Sequence, residues 1–280
     1  MFVPCFDLVT TPHAKKFTLR GASPFIAGQS VFSGNRVSMN VTSGLYEFDP
    51  DGATPGAYPV TFTYTNTYGC PASPPVVEIA VVNNAFTCGG YLTDVRDGKK
   101  YNTSLIGGKC WMAGNLTFGN VLTANQPSTD NCINEKYCPP ADAGCTTNGG
   151  LYQWDELMRY GSTSANQGIC PPEWHIPSET EWQLLLLAVE SRIVPPDGIA
   201  GSFMKDTYLD NGFHTLLGGL LYFNNTWAYT TGSFTGALYW TSTPSGTDRA
   251  MARGMNIINP SVSRYTASRA NAFSVRCIKD

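Results

Sequence analysis

Nine cysteines in 280 residues constrain this chain more than any other feature. No Cys-x-x-Cys pair occurs, and His13, His175 and His214 are the only histidines in the sequence. Thiolate metal clusters are therefore disfavoured, and the cysteines are expected to form disulfides in an oxidising compartment. The predicted setting is that of an exported protein, extracellular or displayed at the cell surface.

The remaining composition favours strands and loops over helices. Charged residues make up 14% of the chain, against about a quarter in an average soluble domain, whereas there are 28 Gly, 19 Pro, 14 Tyr and 14 Phe. A formal net charge of -3 gives no electrostatic footprint for nucleic acid. There is no basic run for a membrane surface and no apolar stretch of membrane-spanning length, so no direct membrane insertion is expected.

The first residues, from Met1 to Asp7, have neither the basic region nor the apolar region of a signal peptide. We therefore expect either that the chain is the C-terminal piece of a longer exported protein or that its numbering starts after processing.

Residues 1–84 are predicted to form a small all-β domain. Tyr58, Val60, Phe62 and Tyr64 alternate with other residues and share one face of a strand, and residues 76–82 give a second strand. Short strands separated by turn signals predict an immunoglobulin-like β-sandwich. Gly56-Ala57-Tyr58 and Tyr68-Gly69-Cys70 also resemble the Ig-like repeats of large Bacteroidota surface proteins. Residues 82–85 are the expected linker.

Residues 85–280 are predicted to form a second domain that contains two helices. The first is expected at residues 151–160, between glycines. The second begins with a capping box, in which Ser178 is the N-cap and Glu181 is the third helical residue. Trp182, Leu185, Leu186 and Val189 follow at helical spacing, and Pro195-Pro196 ends the pattern. The fold class is therefore mostly β with some α.

A set of motifs in this second part identifies a family. The motifs include Gly108-Lys109-Cys110-Trp111-Met112, Gly149-Gly150-Leu151-Tyr152-Gln153-Trp154-Asp155-Glu156, Cys170-Pro171-Pro172-Glu173-Trp174-His175-Ile176-Pro177-Ser178, Tyr239-Trp240-Thr241-Ser242-Thr243 and Phe273-Ser274-Val275-Arg276-Cys277. In this order they resemble the Fibrobacter succinogenes major paralogous domain, a secreted module of the C-type-lectin-like group. The resemblance covers residues 85–280 and implies an α+β C-type-lectin-like fold. It carries no common biochemical activity.

The resemblance and the spacing together suggest a disulfide pairing, although sequence alone cannot fix connectivity. Four bridges within domains are expected, namely Cys5–Cys70, Cys88–Cys110, Cys138–Cys145 and Cys170–Cys277. Cys132 is left over, either buried and inert or bonded to another chain. A bridge from Cys5 or Cys70 to a cysteine after residue 88 would contradict the division into two domains.

The same motifs argue against an enzymatic function. The block Trp174-His175-Ile176-Pro177-Ser178 also resembles formylglycine-generating enzymes, but the late pair of copper-binding cysteines of that group has no counterpart here. His175 and His214 are interpreted as packed histidines, and no Ser/His/Asp triad is predicted. The acidic residues Asp155, Glu156, Asp206 and Asp210 are interpreted as solvated or capping groups.

No cofactor is expected. The strand Trp240-Thr241-Ser242-Thr243 has hydroxyls where calcium-dependent sugar-binding relatives need a carboxylate and an amide. A calcium ion elsewhere in the domain is left open.

The segment from Thr241 to Asn271 is the candidate binding face, because it resembles the variable ligand-binding face of C-type-lectin-like proteins and is rich in residues that adaptable surfaces use. The candidate residues are Arg249, Arg253, Asn256, Asn259, Tyr265, Arg269 and Asn271. Six of these, all but Asn259, are expected to be exposed and dispensable for folding, whereas Trp240 is expected to be buried scaffold. The alternative is an ordinary solvated pair of strands.

These observations predict a non-catalytic ligand-recognition or adhesion module at the C-terminal end of an exported bacterial surface protein. The expected partner is a protein or a glycan. One alternative is a purely structural module of a surface filament or secretion substrate, which contacts other chains of the assembly. Another is a carbohydrate-binding accessory domain of a polysaccharide-degrading protein, for which parallel tryptophans near Trp227 and Trp240 would be the signature.

Overall fold

The computed structural model of the protein describes residues 4–21, 30–64, 76–139, 142–161, 167–192, 200–205, 212–223, 227–229 and 236–280. The described chain is mostly strand with a few helices, so the predicted fold class is confirmed.

The N-terminal part contains two sheets that share one apolar core. Its strands are β1 (Val9–Thr10), β2 (Phe17–Leu19), β3 (Ser30–Gly34), β4 (Val37–Met39), β5 (Tyr46–Phe48), β6 (Gly56–Tyr64) and β7 (Val76–Val81). The sheet orders are β1-β7-β6-β3 and β2-β5-β4. Tyr58, Val60 and Phe62 of β6 are buried, as their alternation predicts, and Tyr58 makes an edge contact with Phe48 of the other sheet at 5.7 Å. The immunoglobulin-like topology stays a prediction.

The C-terminal part consists of four small sheets and three helices within the described residues. Its strands are β8 (Tyr91–Thr93), β9 (Lys100–Ile106), β10 (Lys109–Met112), β11 (Asn120–Leu122), β12 (Glu135–Tyr137), β13 (Tyr152–Gln153), β14 (Trp174–His175), β15 (Leu221–Phe223), β16 (Trp227–Tyr229), β17 (Gly236–Pro244), β18 (Arg249–Asn256), β19 (Ser263–Ser268), β20 (Ala272–Phe273) and β21 (Ile278–Lys279). The helices are α1 (Trp154–Leu157), α2 (Glu179–Glu190) and α3 (Ala200–Lys205). The sheet orders are β14-β21-β10-β9-β8, β11-β12, β13-β20-β15-β16 and β17-β18-β19. The first and last strands of this part therefore share one sheet, as the resemblance implies.

Helix α2 begins as its sequence predicts. The Ser178 hydroxyl accepts a hydrogen bond from the Glu181 backbone N–H, and the Glu181 carboxylate accepts one from the Ser178 N–H. Trp182, Leu185 and Val189 are buried, which is the apolar face that the helical spacing indicates. Pro195-Pro196 lies outside the described residues.

The first predicted helix is much shorter than expected. Instead of residues 151–160, only Trp154–Leu157 are helical, because Tyr152 and Gln153 pair with β20 as strand β13. At the other end, Arg159 and Tyr160 have positive φ angles of 51° and 56°, which a right-handed helix cannot contain.

Aromatic residues form the centre of the C-terminal part. Trp182 of α2 lies between Trp111, Phe213 and Tyr239, with ring centroids 5.6–5.7 Å away. In a second cluster Trp240 stacks on Phe273 at 4.2 Å, and Trp240 is fully buried, as expected of a scaffold residue.

A single buried arginine joins several loops of this part. Arg276 is fully buried. Its Nε donates to the side-chain oxygen of Asn115 at 2.6 Å, and its terminal nitrogens donate to the carbonyl oxygens of Met112, Phe213 and His214. The guanidinium also lies 4.5 Å from the centroid of the Phe213 ring. This side chain therefore holds residues 112–115 and residues 213–214 in place around it.

Four disulfides are present among the described residues. Three are the expected bridges Cys88–Cys110, Cys138–Cys145 and Cys170–Cys277. The fourth joins Cys5 to Cys132, with their Cα atoms 4.3 Å apart. The expected Cys5–Cys70 bridge is therefore wrong, and so is the interpretation of Cys132 as the unpaired cysteine. Cys70 lies outside the described residues.

The Cys5–Cys132 bridge is part of a larger contact between the two parts of the chain. Next to it, Arg20 pairs with Asp130 at 2.8 Å. Asp7 accepts from Arg159 at 2.6 Å, and although burial raises the pKa of Asp7, the neighbouring guanidinium groups lower it overall. The first pair joins the N-terminal segment to the loop around Cys132, and the second joins it to the residues that follow α1.

The two parts keep separate apolar clusters on either side of residues 82–85. The boundary at residues 84 and 85 stays a prediction, but the Cys5–Cys132 bridge is of the kind that contradicts a division into two independent domains. The expectation that every bridge lies within one domain is wrong, because one of them ties the two parts together.

Non-reducing peptide mapping should recover a peptide pair that contains Cys5 and Cys132. The bridge closes a loop with a sequence separation of 127, for which the chain-entropy model gives about 5 kcal/mol. Cys132→Ser should therefore lower the free energy of unfolding by several kcal/mol in urea titrations. A mapped Cys5–Cys70 peptide would contradict this connectivity.

The stability of the protein should fall as the pH rises past neutrality because of His175. Its Nδ1 lies 2.7 Å from Asp280 and its Nε2 lies 2.9 Å from Glu181. Burial lowers the pKa of His175, but these carboxylates raise it overall above the ordinary value. A raised pKa stabilises the fold below the unfolded pKa of about 6.5 and loses that contribution as the pH rises through the folded pKa.

The free energy of unfolding in urea, measured between about pH 6 and about pH 9, checks this sign. His175→Gln should flatten the decline, whereas His13→Gln, at an exposed histidine, should leave it intact. Equal slopes in wild type and His175→Gln would refute the role of His175.

Candidate functional site

A polar cleft of about 370 Å³ opens at one end of the β17-β18-β19 sheet. Four separate segments form it: the β17–β18 turn, the β19–β20 turn, the region around α1 and the loop at residue 128. The lining residues are Ser128, Gln153, Asp155, Tyr160, Thr247, Asp248, Ser268, Arg269 and Ala270. Its volume falls in the range of small-molecule and cofactor sites.

Arg269 connects three of these segments. Its Nε and Nη2 donate to the carbonyl oxygens of Arg249 and Gly246, both at 3.2 Å. Nη1 lies 3.4 Å from the Asp155 carboxylate, and the guanidinium carbon lies 4.1 Å from the centroid of the Trp154 ring. The position of this arginine is therefore fixed before any ligand binds.

Gln153 fixes the opposite wall. Its Oε1 accepts hydrogen bonds from the backbone N–H and the hydroxyl of Ser128, at 2.7 and 2.8 Å, and from the Tyr137 hydroxyl at 3.1 Å. Its Nε2 donates to the Ala270 carbonyl at 2.8 Å. The loop at Ser128 and the β19–β20 turn are thus tied to β13.

Two carboxylates of the cleft remain open to solvent. The Asp155 side chain is 48% exposed, and its ion pair with Arg269 is long. Asp248 is exposed, and its carboxylate makes no hydrogen bond or ion pair with another described residue. Thr247, also exposed, adds a hydroxyl beside them.

Buried acids lie behind the cleft wall at Tyr160. The Tyr160 hydroxyl donates to Glu156 at 3.1 Å, and Glu156 also accepts from the backbone N–H of Glu135. Burial raises the pKa of Glu156 to about 7. Glu135 accepts from the Thr129 N–H and from the Asn131 amide at 3.0 Å each.

Comparison with known proteins places this architecture in a family. Residues 105–279, more than half of the chain, match the family model of the Fibrobacter succinogenes major domain. The chain belongs to this family. No curated protein and no solved structure matches it. The family is typical of surface proteins, and the four disulfides are consistent with an extracellular location.

The structure brings only one of the predicted binding residues, Arg269, into the cleft. The expectation that Arg253 and Asn271 are exposed is wrong. Arg253 is buried, because its guanidinium forms an ion pair with the buried Glu179 at the start of α2. Asn271 is buried, because its side-chain oxygen accepts the backbone N–H of Phe223 at 3.0 Å.

The remaining candidates lie on β18, on β19 and in the loop between them, and none of them lines the cleft. Arg249, Asn259 and Tyr265 are exposed, and Asn256 is partly buried. The Asn256 side chain accepts the backbone N–H groups of residues 258 and 259, so it shapes its own loop. Tyr265 lies across Gly254, where an added Cβ would come within 2.4 Å of its ring.

Other residues singled out from the sequence agree only in part with expectation, since Glu156, expected to be solvated or capping, is buried. His175 is packed between carboxylates, as expected, whereas His214 is exposed, contrary to expectation. Asp206 and Asp210 lie outside the described residues, as does the side chain of Trp227. In the described ranges, no three His, Cys, Asp or Glu side chains are placed to hold a metal ion. None of the described helices has the length and apolar character to span a membrane.

Sequence reasoning missed most of the cleft. Ser128, Gln153 and Asp248 are far apart in the chain, so no local spacing brings them together. Asp248 had a local signal, since it follows the turn glycine Gly246 and directly precedes a strand.

Arg269→Ala should destabilise the fold, contrary to the expectation that this residue is dispensable. Loss of charged hydrogen bonds and of the contact with Trp154 should lower the free energy of unfolding by about 2–3 kcal/mol. The matched control Arg249→Ala removes an exposed guanidinium and should change it by about 0.5 kcal/mol at most. Equal effects in chemical denaturation would show that the Arg269 contacts contribute nothing.

Proposed function

We propose that this chain is a non-catalytic ligand-recognition module of a bacterial surface protein, and that its ligand binds in the cleft beside Arg269. The observation that carries the proposal is the fixed position of Arg269, whose nitrogens and ring contact join three cleft-forming segments. A site whose walls are already ordered loses little conformational freedom on binding, which favours affinity.

The composition of the cleft supports recognition rather than packing. The side chains of Asp155, Asp248 and Thr247 are not buried within the fold. They remain in contact with solvent. Open polar groups on a rigid frame can exchange water for the hydroxyl, amide or amine groups of a glycan or a protein. The proposed role requires neither a cofactor nor a calcium ion.

A second candidate is a structural module of a surface assembly. The observation in its favour is the Cys5–Cys132 bridge with its neighbouring Arg20–Asp130 and Asp7–Arg159 pairs, since a covalent tie between the two parts suits a stiff spacer. The two roles are compatible when the N-terminal part carries the recognition cleft away from a surface.

Arrays of glycans and of purified host surface proteins test the recognition role. The double variant Asp155→Asn/Asp248→Asn should lose at least about tenfold in affinity for the ligand that the wild type captures, because charged hydrogen bonds contribute about 1.5–3 kcal/mol each. Its melting temperature should stay close to that of the wild type, since both side chains are open to solvent.

Asp51→Asn, at an exposed position of the N-terminal part, is the matched control and should bind as the wild type does. A wild-type chain that captures nothing on either array would favour the structural role. Unchanged capture by the double variant would place the ligand elsewhere.

A further inference from the structure

The four bridges of the described chain differ in how far solvent reaches them. In the Cys5–Cys132 bridge both residues are partly exposed, and both line a cavity of about 40 Å³. Each of the other three bridges has at least one buried cysteine. The buried ones are Cys110, Cys138, Cys145, Cys170 and Cys277. Exposed bridges are reduced more readily than buried ones, because an attacking thiolate has to reach a sulfur atom.

The backbone of Cys132 is held in an unfavourable conformation. Its φ angle is 69°, in the left-handed region that residues other than Gly, Asn and Asp rarely adopt. A residue in this region is strained, and it stays there only where its surroundings hold it. The bridge to Cys5 supplies one such restraint, so its opening allows Cys132 to relax.

Polar contacts add little to what the bridge does for the loop at residues 128–134. Among the hydrogen bonds and ion pairs of the described residues, only Arg20–Asp130, at 2.8 Å, joins this loop to residues 4–21. Its two side chains are 33% and 44% exposed, and surface pairs of this kind contribute little to stability. The bridge is therefore the stronger of the two ties.

The same loop contributes to the wall of the cleft. Ser128 lines the cleft, and its backbone N–H and hydroxyl both donate to Gln153 Oε1. Cys132 lies four residues further along the chain, and the backbone N–H of Thr129 between them donates to Glu135. A change at Cys132 can therefore reach the cleft wall along a short loop.

We propose that the Cys5–Cys132 bridge is a thiol-sensitive latch, which small-molecule thiols open before the other three bridges and whose opening frees the loop at residues 128–134. A thiolate of the reductant attacks one bridge sulfur and forms a mixed disulfide, while the other cysteine leaves as a thiolate. A second reductant thiolate attacks the mixed disulfide, so both cysteines end reduced and the reductant ends as its own disulfide. The latch goes beyond the proposed function and does not depend on a ligand in the cleft.

Timed reduction of the native protein with dithiothreitol tests the order of opening. Free thiols are first blocked with N-ethylmaleimide, and the thiols that appear with time are labelled with an isotopically heavy form of the same reagent and located by peptide mapping. Cys5 and Cys132 should be labelled at least about tenfold faster than any other bridged cysteine, because access governs the attack. Equal or faster labelling of Cys88 and Cys110 would overturn the proposal.

Hydrogen exchange measures whether the opening frees the loop. When Cys5 and Cys132 alone are reduced and alkylated, the amides of residues 128–134 should exchange at least about tenfold faster than in the oxidised protein, and this acceleration should exceed that in α2. The double variant Cys5→Ser/Cys132→Ser, which needs no reagent, should give the same pattern. The matched control Asp130→Asn removes the ion pair but keeps the bridge, and it should exchange as the wild type does.

Two outcomes of the exchange experiment contradict the latch. Unchanged exchange of residues 128–134 would show that the loop keeps its structure without the bridge. An equal acceleration in this loop and in α2 would show that the bridge stabilises the fold as a whole and controls no part of it. Neither outcome involves a ligand, so each leaves the proposed recognition role standing.

Discussion

The C-terminal part depends on a positive charge that is buried without a negative one. Arg276 is fully buried, and its hydrogen-bond partners in the described chain are neutral: three carbonyl oxygens and the Asn115 amide oxygen. A buried ion is costly unless its hydrogen bonds are satisfied, and burial accordingly lowers the pKa of Arg276. The carbonyls of Met112, Phe213 and His214 therefore have to converge on one point, which fixes loops from distant parts of the sequence. The adjacent Cys277 bridge and strand β21 then close the domain on itself.

Features that depend on neighbours in the chain could be predicted from the sequence. The Ser178 capping box, the apolar face of α2 and the alternation in β6 are local patterns, and the structure has all three. The first helix failed because tertiary pairing of Tyr152 and Gln153 with β20 outweighed the local pattern. The pairing of Cys5 could not be predicted because Cys70 is nearer in sequence, whereas Cys132 is brought to Cys5 only by the contact between the two parts of the chain. Motif order placed the chain in its family, but it could not place a cleft formed by four separate segments.

The predicted binding face and the proposed cleft differ in an instructive way. Polar residues near a strand suggest a surface, yet Arg253 pairs with the buried Glu179 and Asn271 accepts from the backbone N–H of Phe223. Arg269 does the same while lining a cavity, so it is both support and wall. Residue type alone cannot distinguish a polar group that waits for a ligand from one that already has a partner. The distinguishing property is whether hydrogen bonds within the fold are complete, and among the described residues the Asp248 carboxylate of the cleft has none.

The Cys5–Cys132 bridge determines how mechanical force would travel through the molecule. A pull on the chain just before Cys5, opposed by a ligand held in the cleft, passes through the sulfur atoms directly to Cys132, four residues from Ser128 in the cleft lining. Strands β1–β7 of the N-terminal part and the connection at residues 82–85 lie off this route. Tension would then reach the loop at Ser128 without stretching the N-terminal sheets, because the bridge carries it past them.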